Sequence, residues 1–187
     1  MNMKKGFTLI ELMIAVTIIA ILAVTGYTTF AQSQLRGRDI KRKQDLVAIA
    51  AALETYYQQN RHYPCTGDNW QDSDGASGNW ITDTAIVGTS CGVNGVTTLL
   101  DSRFLSLPID PSNTGVQPWL NNPVNYSYAY FSGDYHGCRS GQGYWLITRL
   151  ENPNDEDSYA RKRIHPCNFP TYPDPSFTGA AYMISVY

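Results

Sequence analysis

The sequence predicts an α+β protein: one long N-terminal helix packed on a small antiparallel β-sheet, with loops stapled by disulfides. Three observations carry that prediction. No proline interrupts residues 7–60, and their patterning is helical throughout. Strand-like segments then follow one another without an intervening helix, which argues for segregated α and β parts and an antiparallel sheet. All four cysteines, Cys65, Cys91, Cys138 and Cys167, lie beyond the helix. At 187 residues the chain has room for an anchor and one modest domain.

The helix has two halves. Residues 7–35 are apolar all round, and Glu11 is their only charged side chain. A bilayer core needs about 20 such residues. A lone acid in a membrane helix is costly, which makes Glu11 a functional candidate. Residues 36–63 are amphipathic, with Leu46, Ile49, Ala50, Leu53, Tyr56 and Tyr57 at three- and four-residue steps. That stripe is expected to bury against a sheet while Arg42, Lys43, Gln44, Asp45 and Gln58 face elsewhere. At 1.5 Å per residue the whole rod would measure roughly 80 Å. Gly26, Tyr27, Thr28 and Thr29 are weak helix formers and mark where it bends most easily. Tyr63-Pro64 ends it, because a residue before proline avoids helical geometry.

Residues 65–95 are rich in Gly, Ser, Asp, Asn and Thr and read as a long loop, with Trp70 and Trp80 as anchors. Residues 99–105 suit a helical turn, and the prolines of Leu107-Pro108-Ile109-Asp110-Pro111 exclude a regular element. Strands are expected at 124–131, where tyrosines alternate with small residues, and at 144–150 and 180–186. Residues 133–143 and the polar, acidic 152–157 read as turns. Residues 165–179, with four prolines, read as loop.

Charge and cysteine usage exclude several functions. The formal charge is −2. Five of the fourteen basic residues crowd into 36–43, while the chain beyond Asn60 holds seven basic and twelve acidic residues. That excess of acid is unsuited to nucleic acid, which wants a basic face. Arg161-Lys162-Arg163 reads as a surface charge run before it reads as a DNA or lipid contact. The cysteines form no C-x-x-C and have no histidine at zinc-finger spacing, so two disulfides in an oxidising compartment are expected rather than a metal site. Of the three pairings, the local Cys65–Cys91 and Cys138–Cys167 are favoured. His62, His136 and His165 are scattered, no nucleophile–base or paired-carboxylate arrangement is visible, and no enzymatic activity is expected. No cofactor is expected either. Asn152, Asn154, Asp155, Glu156 and Asp157 offer the oxygen ligands a structural calcium ion prefers, against the plainer reading of a solvated acidic turn. Asp72-Ser73-Asp74-Gly75 hints at an EF-hand loop but fails it, since the first ligand position would be Trp70 and the twelfth Ile81. The thirteen tyrosines are read as core and contact residues.

The start of the chain resembles the prepilin signature shared by type IV pilins and type II secretion pseudopilins. Lys4-Lys5 match the short basic leader, Gly6 the residue before the cut, Phe7 the methylated first mature residue, and Glu11 the acid at the fifth mature position. Tyr57 through Tyr63-Pro64 resembles the end of the long helix in that family, and residues 107–111 resemble the LP-x-DP stretch of major pseudopilins. The clear matches cover the first 64 residues and that short piece.

The resemblance implies a pilin-like fold and four parts: a leader at 1–6, a membrane and filament-core half-helix at 7–35, an amphipathic half at 36–63, and a globular head at 64–187. It implies a structural subunit cut by prepilin peptidase between Gly6 and Phe7. Before assembly the subunit would sit in inner-membrane lipid with its head outside the cytoplasm. Inner-membrane machinery would then polymerise it with itself or with other pilins, into an extracellular filament or a periplasmic pseudopilus. It also implies that Glu11 meets the Phe7 amine of a neighbouring subunit. Two features depart from the pattern. Thr28 stands where many members carry proline, and the basic cluster at 36–43 outweighs the two leader lysines, so a positive-inside count alone would place the head in the cytoplasm. The cluster is expected to lie against lipid headgroups, to meet acidic loops of neighbouring subunits, or to remain a solvated face. The readings left open are a pseudopilin of type II secretion, a minor pilin for adhesion or DNA uptake, and a monomeric exported binding domain on a plain membrane anchor.

Overall fold

The computed structural model describes residues 6–64, 71–73, 108–115, 118, 125–133, 141–158 and 180–186. All four cysteines lie outside these residues, and so does the helical turn expected at 99–105. The chain divides into two compact units, Met1–Gly37 and Arg38–Tyr187.

One helix, α1 (Leu9–Asn60), runs from the first unit into the second and continues without a break through Gly26–Thr29. In the first unit its described large apolar side chains are exposed all round, among them Ile10, Met13, Ile18, Ile21 and Val24, as is Phe7 just before the helix. The helix is long and apolar enough to cross a membrane by length and composition. In the second unit α1 buries Leu46, Ile49, Ala52, Leu53 and Tyr56, so the stripe lies where the periodicity places it. Fully burying a leucine or isoleucine contributes about 1.5–3 kcal/mol, which makes this seam the main attachment of helix to head. The helix ends one turn before Pro64. Arg61 takes a left-handed conformation, φ 64°, and its N–H bonds the Tyr57 carbonyl at 2.7 Å. This is a helix C-cap of the left-handed type, filled here by a residue other than glycine.

The sheet is an antiparallel meander, β1 (Gln71–Asp72), β2 (Tyr128–Phe131), β3 (Tyr144–Arg149) and β4 (Ala181–Val186), hydrogen-bonded in that order. β3 and β4 fall within a residue of their expected bounds. β2 is shorter than 124–131. Tyr126 makes only an isolated bridge to Thr114, and Asn125 packs so closely on Gly115 (φ 76°) that a Cβ there would stand 2.4 Å from Asn125 Oδ1. The sequence did not predict β1, because two residues are too few to show an alternation.

Register puts the tyrosines to use. Tyr128 pairs Thr148, which pairs Tyr182, and Tyr130 pairs Leu146, which pairs Ile184. These rows and Tyr144 share the face that meets α1 in one core cluster. Ala129, Phe131, Trp145, Ile147 and Met183 occupy the opposite face and are buried as well. Each tyrosine brings a hydroxyl that must find an acceptor when buried. Tyr128 donates to Asp45 at 2.7 Å, Tyr63 to Glu54 at 2.9 Å and Tyr130 to the Pro64 carbonyl at 2.7 Å.

Burial raises the pKa of Tyr130 well above that of a free tyrosine, and raises Tyr63, Tyr128 and Tyr144 in the same direction. The folded state therefore keeps protons that the unfolded chain loses above about pH 10, and stability falls as pH rises past that point. For Tyr130 alone the slope approaches about 1.4 kcal/mol per pH unit. An alkaline titration of the thermal midpoint is expected to drop steeply from pH 10; a flat profile to pH 11 would contradict the packing of this tyrosine cluster.

Candidate functional site

Two groups of side chains stand out, one at the start of α1 and one at the base of the head. The first is built on Thr8-Leu9-Ile10-Glu11. Thr8 precedes the helix and Glu11 lies in its first turn. The Thr8 N–H and Oγ1–H both donate to Glu11 Oε2, at 2.9 and 2.5 Å, and the Glu11 N–H donates to Thr8 Oγ1 at 3.3 Å. This is a capping box, in which two otherwise orphaned N–H groups are satisfied reciprocally. The spacing Thr-x-x-Glu is a recognised sequence signature; reading Glu11 only as a membrane acid passes over it. Both Thr8 bonds end on Oε2, so Oε1 keeps lone pairs for another donor. The box lies wholly after Gly6 and Phe7 and would survive a cut between them. Gly6 itself is exposed, and a Cβ added there meets nothing within 4 Å. The fold of this chain gives no reason for a glycine at that position.

The second group corrects an expectation. Arg42 does not face away from the stripe; its side chain is 0% exposed. Its Nε and Nη2 hold Asp110 at 2.7 and 3.1 Å, Nη1 holds Asp39 at 2.9 Å and Glu151 at 2.7 Å, and Nη2 also reaches Ser112 at 3.1 Å. A guanidinium has five N–H donors, and these five bonds use all of them. The ring of Tyr126 covers the guanidinium at 4.7 Å. Asp39 in turn accepts the N–H groups of Glu151 and Asn152 at 2.8 and 2.9 Å. Arg38 grips Glu151 with two bonds of 2.6 Å. Burial alone would raise the Glu151 carboxyl, but Arg38 and Arg42 outweigh it and hold its pKa below the ordinary value.

The basic cluster is thus only in part a solvated face, since Arg36 and Lys41 are exposed while Arg42 is buried. Arg38, Arg42 and Lys43 meet acidic segments of their own head, and Lys41 pairs with Asp45 one turn along the helix.

The acidic turn at 152–157 is largely solvent-exposed, as a polar turn is expected to be, but two of its carboxylates are paired. Lys43 Nζ sits between Asp155 at 2.5 Å and Asp157 at 2.9 Å. A cation already occupies the position between these two carboxylates that an ion would take. Asn154 donates its N–H to Asn152 Oδ1 and is exposed. Among the described residues no group of three or more His, Cys, Asp or Glu side chains is arranged to hold a metal. Asp110 was legible only as part of a turn. Its pairing with a helix residue 68 positions earlier carries no local sequence signal.

Comparison with known proteins bears on the N-terminal group. The family model of the prokaryotic N-terminal methylation motif matches residues 1–27. The chain is similar to type II secretion system core protein G of Escherichia coli (strain K12), 35% identical over 63 residues, 34% of this chain and 43% of that protein. It is similar to the protein G of Pseudomonas aeruginosa, 40% identical over 63 residues, 34% and 44% of the two chains. It is also similar to the type IV major pilin protein PilA of Myxococcus xanthus (strain DK1622), 39% identical over 60 residues, 32% and 27%. The matched stretches span from 27% to 51% of the relatives' lengths. No solved structure matches. By this methylation motif and these relatives, the N-terminal part of the chain is similar to those of type IV pilins and type II secretion pseudopilins.

Proposed function

We propose that this chain is a structural subunit of a type IV pilus-like filament, made as a precursor and polymerised through its N-terminal helix. In this reading prepilin peptidase removes residues 1–6 by cutting after Gly6, where a missing side chain lets an active site approach the backbone. Phe7 becomes the methylated N-terminus. Residues 7–35 lie in the inner membrane until assembly moves them into the filament core. The head, residues 64–187, stands outside the cytoplasm on the amphipathic half-helix 36–63.

The observation that carries the proposal is the methylation motif over residues 1–27 at the start of a helix whose N-terminal half exposes its apolar side chains all round. Such a surface needs lipid or other helices around it. Lipid is as apolar as a helix bundle, so leaving the membrane needs packing and a polar contact to drive it. Glu11 supplies that contact. Its carboxylate is held at the start of the helix by Thr8, with Oε1 still able to accept the amine of a neighbour's Phe7.

A second reading, a pseudopilin of a type II secretion system, is favoured by the relatives named core protein G and by the LP-x-DP segment carrying Asp110. Shearing the cells and imaging the released fraction with antibody against the head tests both. Labelled surface filaments are expected. A chain confined to the periplasm with short or no filaments would favour the secretion reading, and a chain found only as membrane-bound monomer would defeat both.

A further inference from the structure

The buried seam of α1 begins with two charged residues. Asp39, Arg42, Leu46, Ile49, Leu53 and Tyr56 recur in alternating steps of three and four, and all six are buried. The last four are apolar, and the helix around them is rich in alanine, at 48, 50, 51 and 52. Such a seam looks much the same to the sheet after a slip along the helix axis. Hydrophobic contact rewards burial but is not directional, so it does not choose between neighbouring registers.

The first two positions do choose. All five Arg42 donors are filled by groups from the helix itself, from residues 110–112 and from Glu151. Asp39 closes the same arrangement on the backbone N–H groups of Glu151 and Asn152. Moving the head along the helix would leave these groups buried and unpaired. Stability alone does not call for such a cluster, since well-packed apolar residues serve as well or better at buried positions. The best-attested use of a polar residue in an apolar helix seam is to specify register at a cost in stability.

We propose that Asp39 and Arg42 are a register pin: they fix the axial position of the head on α1, with Asp110 and Glu151 as their receptors. This deepens the filament reading and rests on it for its purpose. A helical assembly repeats one interface in every subunit, and it can do so only if every head sits at the same height on its helix. Asp39, Arg42, Asp110 and Glu151 are thus positioning residues for polymerisation, acting through the placement of the head.

The test uses the full chain in detergent micelles, with spin labels attached through non-natural amino acids at Gln44 and Gln142, both exposed. The pin is neutralised as a unit, so that no charge is orphaned, in a variant carrying Asp39→Asn, Arg42→Met, Asp110→Asn and Glu151→Gln. Its bonds from Tyr128 to Asp45 and from Tyr63 to Glu54 remain. The native chain is expected to give one narrow distance. The variant is expected to keep its helical content and melt within a few degrees of the native chain, while its distance distribution splits into populations about 5 Å apart, one helical turn. A single native distance in the variant would overturn the proposal. So would a variant that does not fold, since the cluster would then supply stability rather than choice of register. Absence of filaments from the native chain would instead defeat the filament reading and leave the distances untouched. As a second readout, Arg42→Lys, which keeps the charge but loses the planar fork, is expected to broaden the distribution less than the neutral variant.

Discussion

Replacing Arg42 with alanine is expected to destabilise the full chain by about 3–5 kcal/mol, the range for breaking a buried charge cluster by removing one partner. The reason lies in what stays behind. Asp39, Asp110 and Glu151 have side chains 4%, 0% and 10% exposed and would lose their shared cation together. Asp110 would keep the N–H groups of Ser112 and Asn113, at 2.8 and 3.2 Å, and Asp39 those of Glu151 and Asn152, so the damage is partial rather than total. For a chain of this size each kcal/mol moves the thermal midpoint by about 2–4 °C, so a loss on the order of 10 °C is expected. Lys41→Ala is the matched control. Lys41 also forms an ion pair on the same helix, but its side chain is 55% exposed, and such pairs contribute at most about 1 kcal/mol. Equal melts for the two variants would show that the Arg42 cluster is not buried as described. The acid side gives a second sign. Glu151 titrates below its ordinary value in the folded state, so its contribution is present above the unfolded value of 4.5 and is lost as pH falls through the folded pKa.

Replacing Glu11 with glutamine is expected to leave membrane insertion intact and to reduce filament yield by on the order of tenfold or more, as loss of a charge pair in a low-dielectric core implies. Glutamine is the informative substitution. It can still close the capping box with Thr8, because Gln serves at that position as Glu does. Helix initiation is therefore preserved and only the charge is removed. Glu11→Ala removes the cap as well and is expected to assemble no better. The readout is the amount of chain in the sheared filament fraction relative to the amount in the membrane. Normal yield from the glutamine variant would show that the charge pair with the Phe7 amine is dispensable.

Much of this molecule was legible from local pattern. A proline-free run with a three- and four-residue apolar rhythm became α1, and the alternating residues of β3 and β4 became strands nearly where expected. These features depend on neighbours a few residues apart, which a sequence displays directly. Thr8–Glu11 belongs to the same kind and was there to be read. The Arg42 cluster is different. Its partners lie 68 and 109 residues away, in two segments that looked like a proline turn and the start of an acidic turn. Nothing in the order of residues states that Asp110 and Glu151 converge on one helix position. One sign was available: Asp39 and Arg42 continue the spacing of Leu46, Ile49, Leu53 and Tyr56, so the heptad seam ran further than its apolar part. Charge led the reading astray there, since a basic run is more often a solvated face than a core element. The segment 152–157 is the exposed turn its composition suggests; what the order of residues does not show is that Lys43 comes from 112 residues upstream to meet Asp155.

The central claim, that this chain is processed into a filament subunit, rests on a bond between two residues, and the mass of the mature chain reads it directly. The protein is recovered from its own cells and its N-terminal peptide is measured by mass spectrometry. The expected mature chain begins at Phe7 and carries a methyl group on the new amine. A mature chain that retains Gly6, with no species starting at Phe7, would contradict it.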